Sequence, residues 1–249
     1  MIYIKTPREI DAIREAGRII ARIFERVPSW LHPGMSTAEL DERVERFIRS
    51  QGGIPVFKGY RGYPAATCIS VNEEVVHGIP RPDRIIQEGD LVKVDIGVKK
   101  DGYIADAAWT FPVGEVSPLA QRLMETTRKA LDAGIRAARI GNRVGDISHA
   151  VETVIRDAGF FPIYELQGHG VGVELHEKPD VPNMGRPGRG VKLREGMVLA
   201  IEPMVSVSTE HVFFASDGWT AITVDRSLSA HYEHTVAVGE EGGVVLTLP

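Results

Sequence analysis

The chain has 249 residues, with 29 Lys and Arg against 34 Asp and Glu, a formal net charge of −5, 43% hydrophobic residues and 25% charged ones. That is the composition of a folded globular protein, long enough for one large domain or two small ones. Mild acidity without a run of consecutive basic residues makes nucleic acid a poor primary ligand, and no stretch approaches the roughly 18 apolar residues that cross a bilayer.

The start, MIYIKTPREI, has neither a basic leader nor an apolar segment, so no secretory signal is read there. Thr6-Pro7-Arg8-Glu9 is a capping box with Pro at the first helical position. Ile10, Ile13, Ile20, Phe24 and Val27 keep helical spacing after it, so a helix is expected over about 7–27. Pro33-Gly34 breaks the chain, Ser36 and Glu39 form a second capping box, and Leu40, Val44, Phe47 and Ile48 line one face up to Gly52. Short apolar runs at 68–71, 91–97 and 103–111 then read as strands. Ser117-Pro118 opens a third helix that ends near Gly141, and a fourth runs over about 144–158 and closes at Gly159. Strands are expected again at 198–201, 220–224 and 233–238. Two helices followed by a meander, twice over, is an α+β pattern with antiparallel strands, not a βαβ alternation. Neither GxGxxG nor GxxxxGK[ST] occurs, which argues against a dinucleotide or nucleoside-triphosphate enzyme. Cys68 is the one cysteine, so no internal disulfide is possible, and a reducing cytoplasm is expected.

The chain also matches itself at a constant offset of 107 residues. Gly34 falls on Gly141, Val44-Glu45 on Val151-Glu152, Ile48-Arg49 on Ile155-Arg156, Gly52 on Gly159, Pro55 on Pro162 and Glu88-Gly89 on Glu195-Gly196. The expectation is one catalytic domain over 1–249 made of two related halves, about 1–110 and 111–249. Asp95 then lands on Glu202, each seven residues beyond its Glu-Gly, which hints at a site between the halves.

Asp95 and Asp106 flank the turn Lys99-Lys100-Asp101-Gly102. With Lys100-Asp101 at the centre Asp95 opposes Asp106; with Asp101-Gly102 it opposes Ala108 and Asp106 is its diagonal neighbour. In both registers they share a face, whereas a three-residue loop would separate them; two like charges sharing a face are costly unless a cation lies between them. Gly168-His169-Gly170-Val171-Gly172 precedes His176, and the glycines allow bends that bring both imidazoles to one cavity. Glu202 ends an apolar strand, His231-Tyr232-Glu233-His234 begins the last one and is also compatible with a plain polar edge, and His77 sits in Val76-His77-Gly78-Ile79-Pro80, which is also compatible with a plain turn. Three strand carboxylates with Glu233 and one imidazole make an oxygen-rich set that suits two divalent ions, hard or borderline metals such as Mn, Fe or Co. Such a pair activates water and polarises a carbonyl, which is the chemistry of hydrolysis.

The segments VNEEVVHGIP, VKVDIG, GYIADAAWTF, GHGVGVELHEKP, AIEPMV and HYEHT, in this order and at these separations, closely resemble the type I methionine aminopeptidases, and the resemblance covers essentially the whole chain. It implies the pita-bread fold, in which two pseudo-symmetric halves with antiparallel strands inside and helices outside enclose a dinuclear metal centre. By position, Asp95, Asp106, His169, Glu202 and Glu233 match the metal ligands, with Asp106 and Glu233 bridging both ions. His77 and His176 match the imidazoles that contact substrate and stabilise the tetrahedral intermediate, and Glu202 matches the proton shuttle. Tyr60, Tyr63, Cys68 and Trp219 correspond to the side-chain pocket, an aromatic and sulfur-lined slot suited to a thioether. Phe57 and Leu175 stand where some bacterial members carry Cys and Phe, which bears on pocket shape and not on the reaction. The implied activity is removal of the initiator methionine from nascent chains with a small second residue, by a metal-bridging hydroxide. The implied ions are Co, Mn or Fe, with Zn or Ni as further options. A cytoplasmic monomer is expected, meeting nascent N-termini and touching the ribosome transiently through the catalytic domain itself, because no N-terminal extension is present. Within the same fold the competing activity is an X-Pro peptidase or prolidase, which usually has an extra N-terminal domain. A pseudoenzyme would show substituted ligands, whereas all five positions and both histidines are intact.

Overall fold

The computed structural model describes residues 1–248. Among the described residues the helices are α1 (Pro7–Trp30), α2 (Thr37–Ser50), α3 (Pro118–Ala137) and α4 (Val144–Asp157). The strands of the first half of the chain are β1 (Ile54–Pro55), β2 (Cys68–Val71), β3 (Glu74–Val76), β4 (Leu91–Lys100) and β5 (Tyr103–Pro112). Those that follow are β6 (Phe161–Pro162), β7 (Gln167–Gly170), β8 (Glu177–Pro182), β9 (Val198–Ile201), β10 (Met204–Ser206), β11 (Val212–Phe214), β12 (Ala221–Thr223), β13 (Ser229–His231), β14 (His234–Ala237) and β15 (Val244–Val245).

Among the described residues every pairing between two named strands is antiparallel. β4 and β5 form a long hairpin to which β1 and β2 add along the far edge of β4. A five-stranded sheet runs β15-β14-β9-β7-β8, and two smaller sheets run β13-β10-β6 and β11-β12-β3. α1 packs on β4 and β5, while α3 and α4 pack on each other and on strands of the later sheets. The core follows that division. Ile13, Ile20, Leu40, Val44 and Ile48 from α1 and α2 close over Val92, Val94 and Ile96, and Leu123, Leu131, Ile147, Val151 and Ile155 from α3 and α4 close over Leu199 and Ile201.

Helix starts fall where the caps place them. Thr6 and Ser36 each accept from the N–H three residues on while Glu9 and Glu39 reach back to the cap N–H, and Ser117 Oγ accepts from Ala120 N–H. α1 extends beyond the expected end, through Pro28, because the Leu31 N–H still donates to Val27 O at 2.8 Å. The β4–β5 hairpin takes the second of its two registers. Lys100 pairs Tyr103 and Asp95 pairs Ala108, and the turn residues Asp101 and Gly102 both have positive φ, 49° and 93°, the backbone of a two-residue turn that matches strand twist. Several strands were not legible in the sequence: β1 and β6 are two residues long, and β7 is Gln-Gly-His-Gly with no apolar residue to alternate.

Residues 107 apart share conformation as well as identity. Gly34 and Gly141, Gly52 and Gly159, and Gly89 and Gly196 all have positive φ. Pro55 pairs Val98 and Ile54 pairs Lys99; at the same offset Pro162 pairs Val205 and Phe161 pairs Ser206.

The Ser36 cap is removable by one substitution, its Oγ accepting from Glu39 N–H at 3.2 Å and donating to Glu39 Oε2 at 3.0 Å. Ser36→Ala is expected to cost about 1 kcal/mol, a drop in Tm of about 2–4 °C by calorimetry for a domain of this size; an unchanged Tm would show that the cap is replaced by solvent.

Candidate metal centre and substrate cavity

Alternation along β4 and β5 sends Asp95 and Asp106 to one face, Asp106 opposite Gly97 and diagonal to Asp95. The second group of candidate ligands comes from the later sheets: His169 on β7, Glu202 just past β9, and Glu233 between β13 and β14. What brings the two groups together is a seam of hydrogen bonds made by every second residue of β5. Thr110 Oγ1 donates to His231 O at 2.7 Å and accepts from His231 N–H at 3.0 Å. Glu233 N–H donates to Ala108 O at 2.8 Å. Thr235 Oγ1 accepts from Asp106 N–H at 2.9 Å and donates to Asp106 O at 2.7 Å. Because Glu233 N–H is committed across the seam, β14 begins one residue later than expected, at His234.

The result is a buried group of acids. Asp95, Asp106 and Glu233 are 8%, 4% and 2% exposed, respectively. Burial raises the carboxyl of Asp95 to about 7 and that of Glu202 to about 8. Burial, reinforced by the neighbouring carboxylates, holds Asp106 and Glu233 well above the usual range. Asp95 Oδ1, Asp106 Oδ1 and Glu233 Oε1 are buried without a hydrogen-bond partner, a condition that costs about 1–3 kcal/mol per group unless something fills it. A divalent cation fits this set. Asp106, His169 and Glu233 each offer a ligand atom within 4.8 Å of the others, and so do Glu202, His231 and Glu233. His169 Nδ1–H donates to Gly170 O at 2.9 Å, which leaves Nε2 as the lone-pair nitrogen, 3.5 Å from Glu202 Oε1 and 4.0 Å from Asp106 Oδ2. Fixing the tautomer from behind in this way is how metal-ligating histidines are oriented.

The residues that the resemblance assigns to metal, substrate and pocket all line one cavity of about 590 Å³. At its acidic end lie Asp95, Asp106, His169, Glu202 and Glu233; its walls include Tyr60, Tyr63, Cys68, His77, His176 and Trp219, with Phe57 and Leu175 beside them. Cys68 sits directly across β2–β4 from Asp95, and burial pushes its thiol well up, so it is neutral. Tyr63 and Trp219 meet edge to face with ring centroids 5.1 Å apart, and Tyr63 O–H is shared between the carbonyls of Thr67, at 3.0 Å, and Gly78, at 2.9 Å. His77 follows β3 with φ 60°, and burial lowers it to about 4. The glycine-rich turn after His169 folds back, so that the His169 and His176 rings lie 4.2 Å apart. His176 Nδ1 is 2.8 Å from the Tyr60 hydroxyl, and desolvation with the nearby His169 keeps its imidazole below the ordinary range.

Three supporting residues escaped the sequence reading. Lys93, two residues before Asp95 and 1% exposed, donates to Asn72 O at 2.7 Å, Ser229 O at 3.2 Å and Ser229 Oγ at 3.3 Å, tying β4 to β13. Glu177 pairs with Lys5 out of solvent and accepts from Val173 N–H at 2.7 Å and Glu174 N–H at 3.1 Å, bracing the turn that carries His176. His231 is 1% exposed and lies 3.4 Å from Glu202. Its spacing of two from Glu233 was the available signal, since alternate residues of a strand share a face.

Comparison with known proteins agrees with this geometry. The model of metallopeptidase family M24 matches residues 11–240. The chain is 48% identical over 247 residues to methionine aminopeptidase 1 of Bacillus subtilis, covering 99% of each. A crystal structure of methionine aminopeptidase from Thermotoga maritima superposes with a TM-score of 0.98 at 45% identity over 100% of both chains. The prolidase of Pyrococcus furiosus matches at 0.79 and 25% identity, over 99% of this chain but 65% of that one.

The raised carboxyls set a pH dependence. Asp95 and Glu202 hold protons near pH 7, a bound cation needs them ionised, and so binding must expel protons and tighten as pH rises through about 7 to 8. Calorimetric titration of metal-free protein with Mn²⁺ at pH 7, in buffers of different ionisation enthalpy, is expected to show net proton release; a binding heat independent of buffer would contradict this.

Proposed function

The chain belongs to metallopeptidase family M24, and from that premise we propose that it is a methionyl aminopeptidase of the pita-bread fold, removing the initiator methionine from peptides and nascent chains whose second residue is small. The observation that carries this reading is a single cavity with a cluster of ligating acids and imidazoles at one end and Tyr63, Cys68 and Trp219 in its walls. A free chain end whose first side chain is a thioether suits both, since sulfur packs favourably against aromatic edges.

Asp95, Asp106, His169, Glu202 and Glu233 would hold two divalent ions, Co, Mn or Fe by the mixture of carboxylate and imidazole donors, with Zn or Ni tolerated, and Asp106 and Glu233 would serve both. When bound, such ions bring water to a pKa of about 7 and polarise the scissile carbonyl. Glu202, ionised once a cation is held, would take the proton of the attacking water and return it to the leaving amine. His176 works as a neutral donor. Its Nδ1 lies 2.8 Å from the Tyr60 hydroxyl; with Tyr60 O–H donating there, the proton would sit on Nε2, and Nε2–H would stabilise the developing oxyanion. His77 contacts the substrate from the same cavity. Tyr60, Tyr63, Cys68 and Trp219 take the methionine side chain. The two halves, about 1–110 and 111–249, act as one catalytic unit. Among the described residues no helix is long and apolar enough to cross a membrane. The reading places the protein in the cytoplasm as a monomer acting on nascent N-termini, with transient contact to the ribosome.

Chelator-stripped protein resupplied with Mn, Co, Fe or Zn is expected to release methionine from Met-Ala-Ser and not from Met-Leu-Ser. Hydrolysis of Ala-Pro instead, or no release with any of these ions, would overturn the reading. Asp106→Ala is expected to lose bound metal and activity together, read by elemental analysis beside the peptide assay. His176→Ala should retain its metal while kcat falls by about 10²–10³-fold, the loss of one oxyanion donor.

A further inference from the structure

We infer that His231 is a further ligand of the metal centre, its Nε2 supplying a nitrogen donor to an ion shared with Glu202 and Glu233. The sequence comparison that yields the other ligands does not include it, and the assignment comes from its surroundings. The ring is 1% exposed, and neither Nδ1 nor Nε2 has a hydrogen-bond partner. Two unpaired polar atoms on a buried ring are costly, and their retention calls for a partner.

The nearby carboxylates make no hydrogen bond to the ring and stand at distances suited to shared coordination. Nε2 lies 3.4 Å from Glu202 Oε2 and 4.0 Å from Glu233 Oε2. Donors about 2.1 Å from a common ion stand about 3.0 Å apart at a right angle and about 4.2 Å apart when opposite, so both separations fall inside that span. His169 Nε2 shows the same relation to its own neighbours, 3.5 Å from Glu202 and 4.0 Å from Asp106. The two ligand triads, Asp106-His169-Glu233 and Glu202-His231-Glu233, thus have Glu233 in common and one imidazole each.

The backbone holds His231 rigidly for such a role. Its carbonyl and N–H are both taken by Thr110 Oγ1, at 2.7 and 3.0 Å, and it pairs with Met204 in the β10–β13 ladder. Since Met204 follows Glu202 by two residues, the same ladder fixes His231 relative to Glu202. An imidazole in each triad replaces part of an all-oxygen shell, and this favours borderline ions such as Co, Fe or Zn over Mn.

The assignment rests on the site being a divalent-metal centre and is tested apart from peptide hydrolysis. In the protein loaded with two equivalents of Co²⁺, each metal-bound imidazole contributes a far-shifted, solvent-exchangeable N–H line to the proton NMR spectrum. Two such lines are expected in the wild type and one in His231→Gln, with Co²⁺ affinity lowered at least tenfold at one site and Mn²⁺ affinity lowered less. A wild-type spectrum with one line, while two cobalt ions are bound and methionine is released, overturns the ligand assignment alone. Retention of both lines in His231→Gln does the same. Failure to bind cobalt at all overturns the assignment together with the reading of the site. The wild-type line count decides the question even if the variant does not fold.

Discussion

Four carboxyl groups meet in a region that excludes most water, and the rest of the structure is built to make that tolerable. Like charges a few ångströms apart in a protein interior repel by several kcal/mol, and burial adds a desolvation penalty to each. Without a cation the acids relieve the strain by holding protons, which is why Asp95 and Glu202 rise to about 7 and 8 and Asp106 and Glu233 higher still. With one, the same oxygens become ligands. The unpartnered atoms Asp95 Oδ1, Asp106 Oδ1 and Glu233 Oε1 are the remainder that the protein's own hydrogen bonds leave for it.

Neither sheet system could hold such a cluster alone. The β4–β5 hairpin brings two aspartates and the later sheets bring two glutamates with His169 and His231, so the candidate ligand set exists only where the two are joined. The join is made by threonine hydroxyls and single peptide groups, not by a continuous ladder, which fixes Asp106, Glu233 and His231 through their backbones while leaving their side chains free to face the cavity. Lys93 reinforces it from behind, bringing three hydrogen bonds to the junction of β4 and β13.

Around the acids the histidines are kept neutral. Burial lowers His77, His169 and His231 each to about 4, so near neutral pH they act as lone-pair donors or as N–H groups and add no charge of their own. Hydrogen bonds behind the rings then decide which nitrogen does which: Gly170 O sets the tautomer of His169, and Tyr60 orients His176. His231 has no such bond on either ring nitrogen and is clamped through its backbone.

Local chemistry was legible along the chain. The capping boxes at Thr6 and Ser36, the proline-led starts of α1 and α3 and the glycines with positive φ at 34, 52, 141 and 159 act within a few residues, so the sequence by itself determined where helices begin and stop. Alternation likewise determined that Asp95 and Asp106 share a face, and the 107-residue offset was visible because it repeats those local signals. What only the tertiary structure decided was the choice between two hairpin registers, the return of His176 onto His169, and the burial of Lys93 and His231. Strands such as β7, with no apolar residue, are held by their neighbours and not by their own pattern. The physical reason is range: the bonds that assemble the site join Asp106 to Thr235, Thr110 to His231 and Lys93 to Ser229, at separations of 129, 121 and 136 residues, and no periodicity within one segment encodes which distant backbone it will meet.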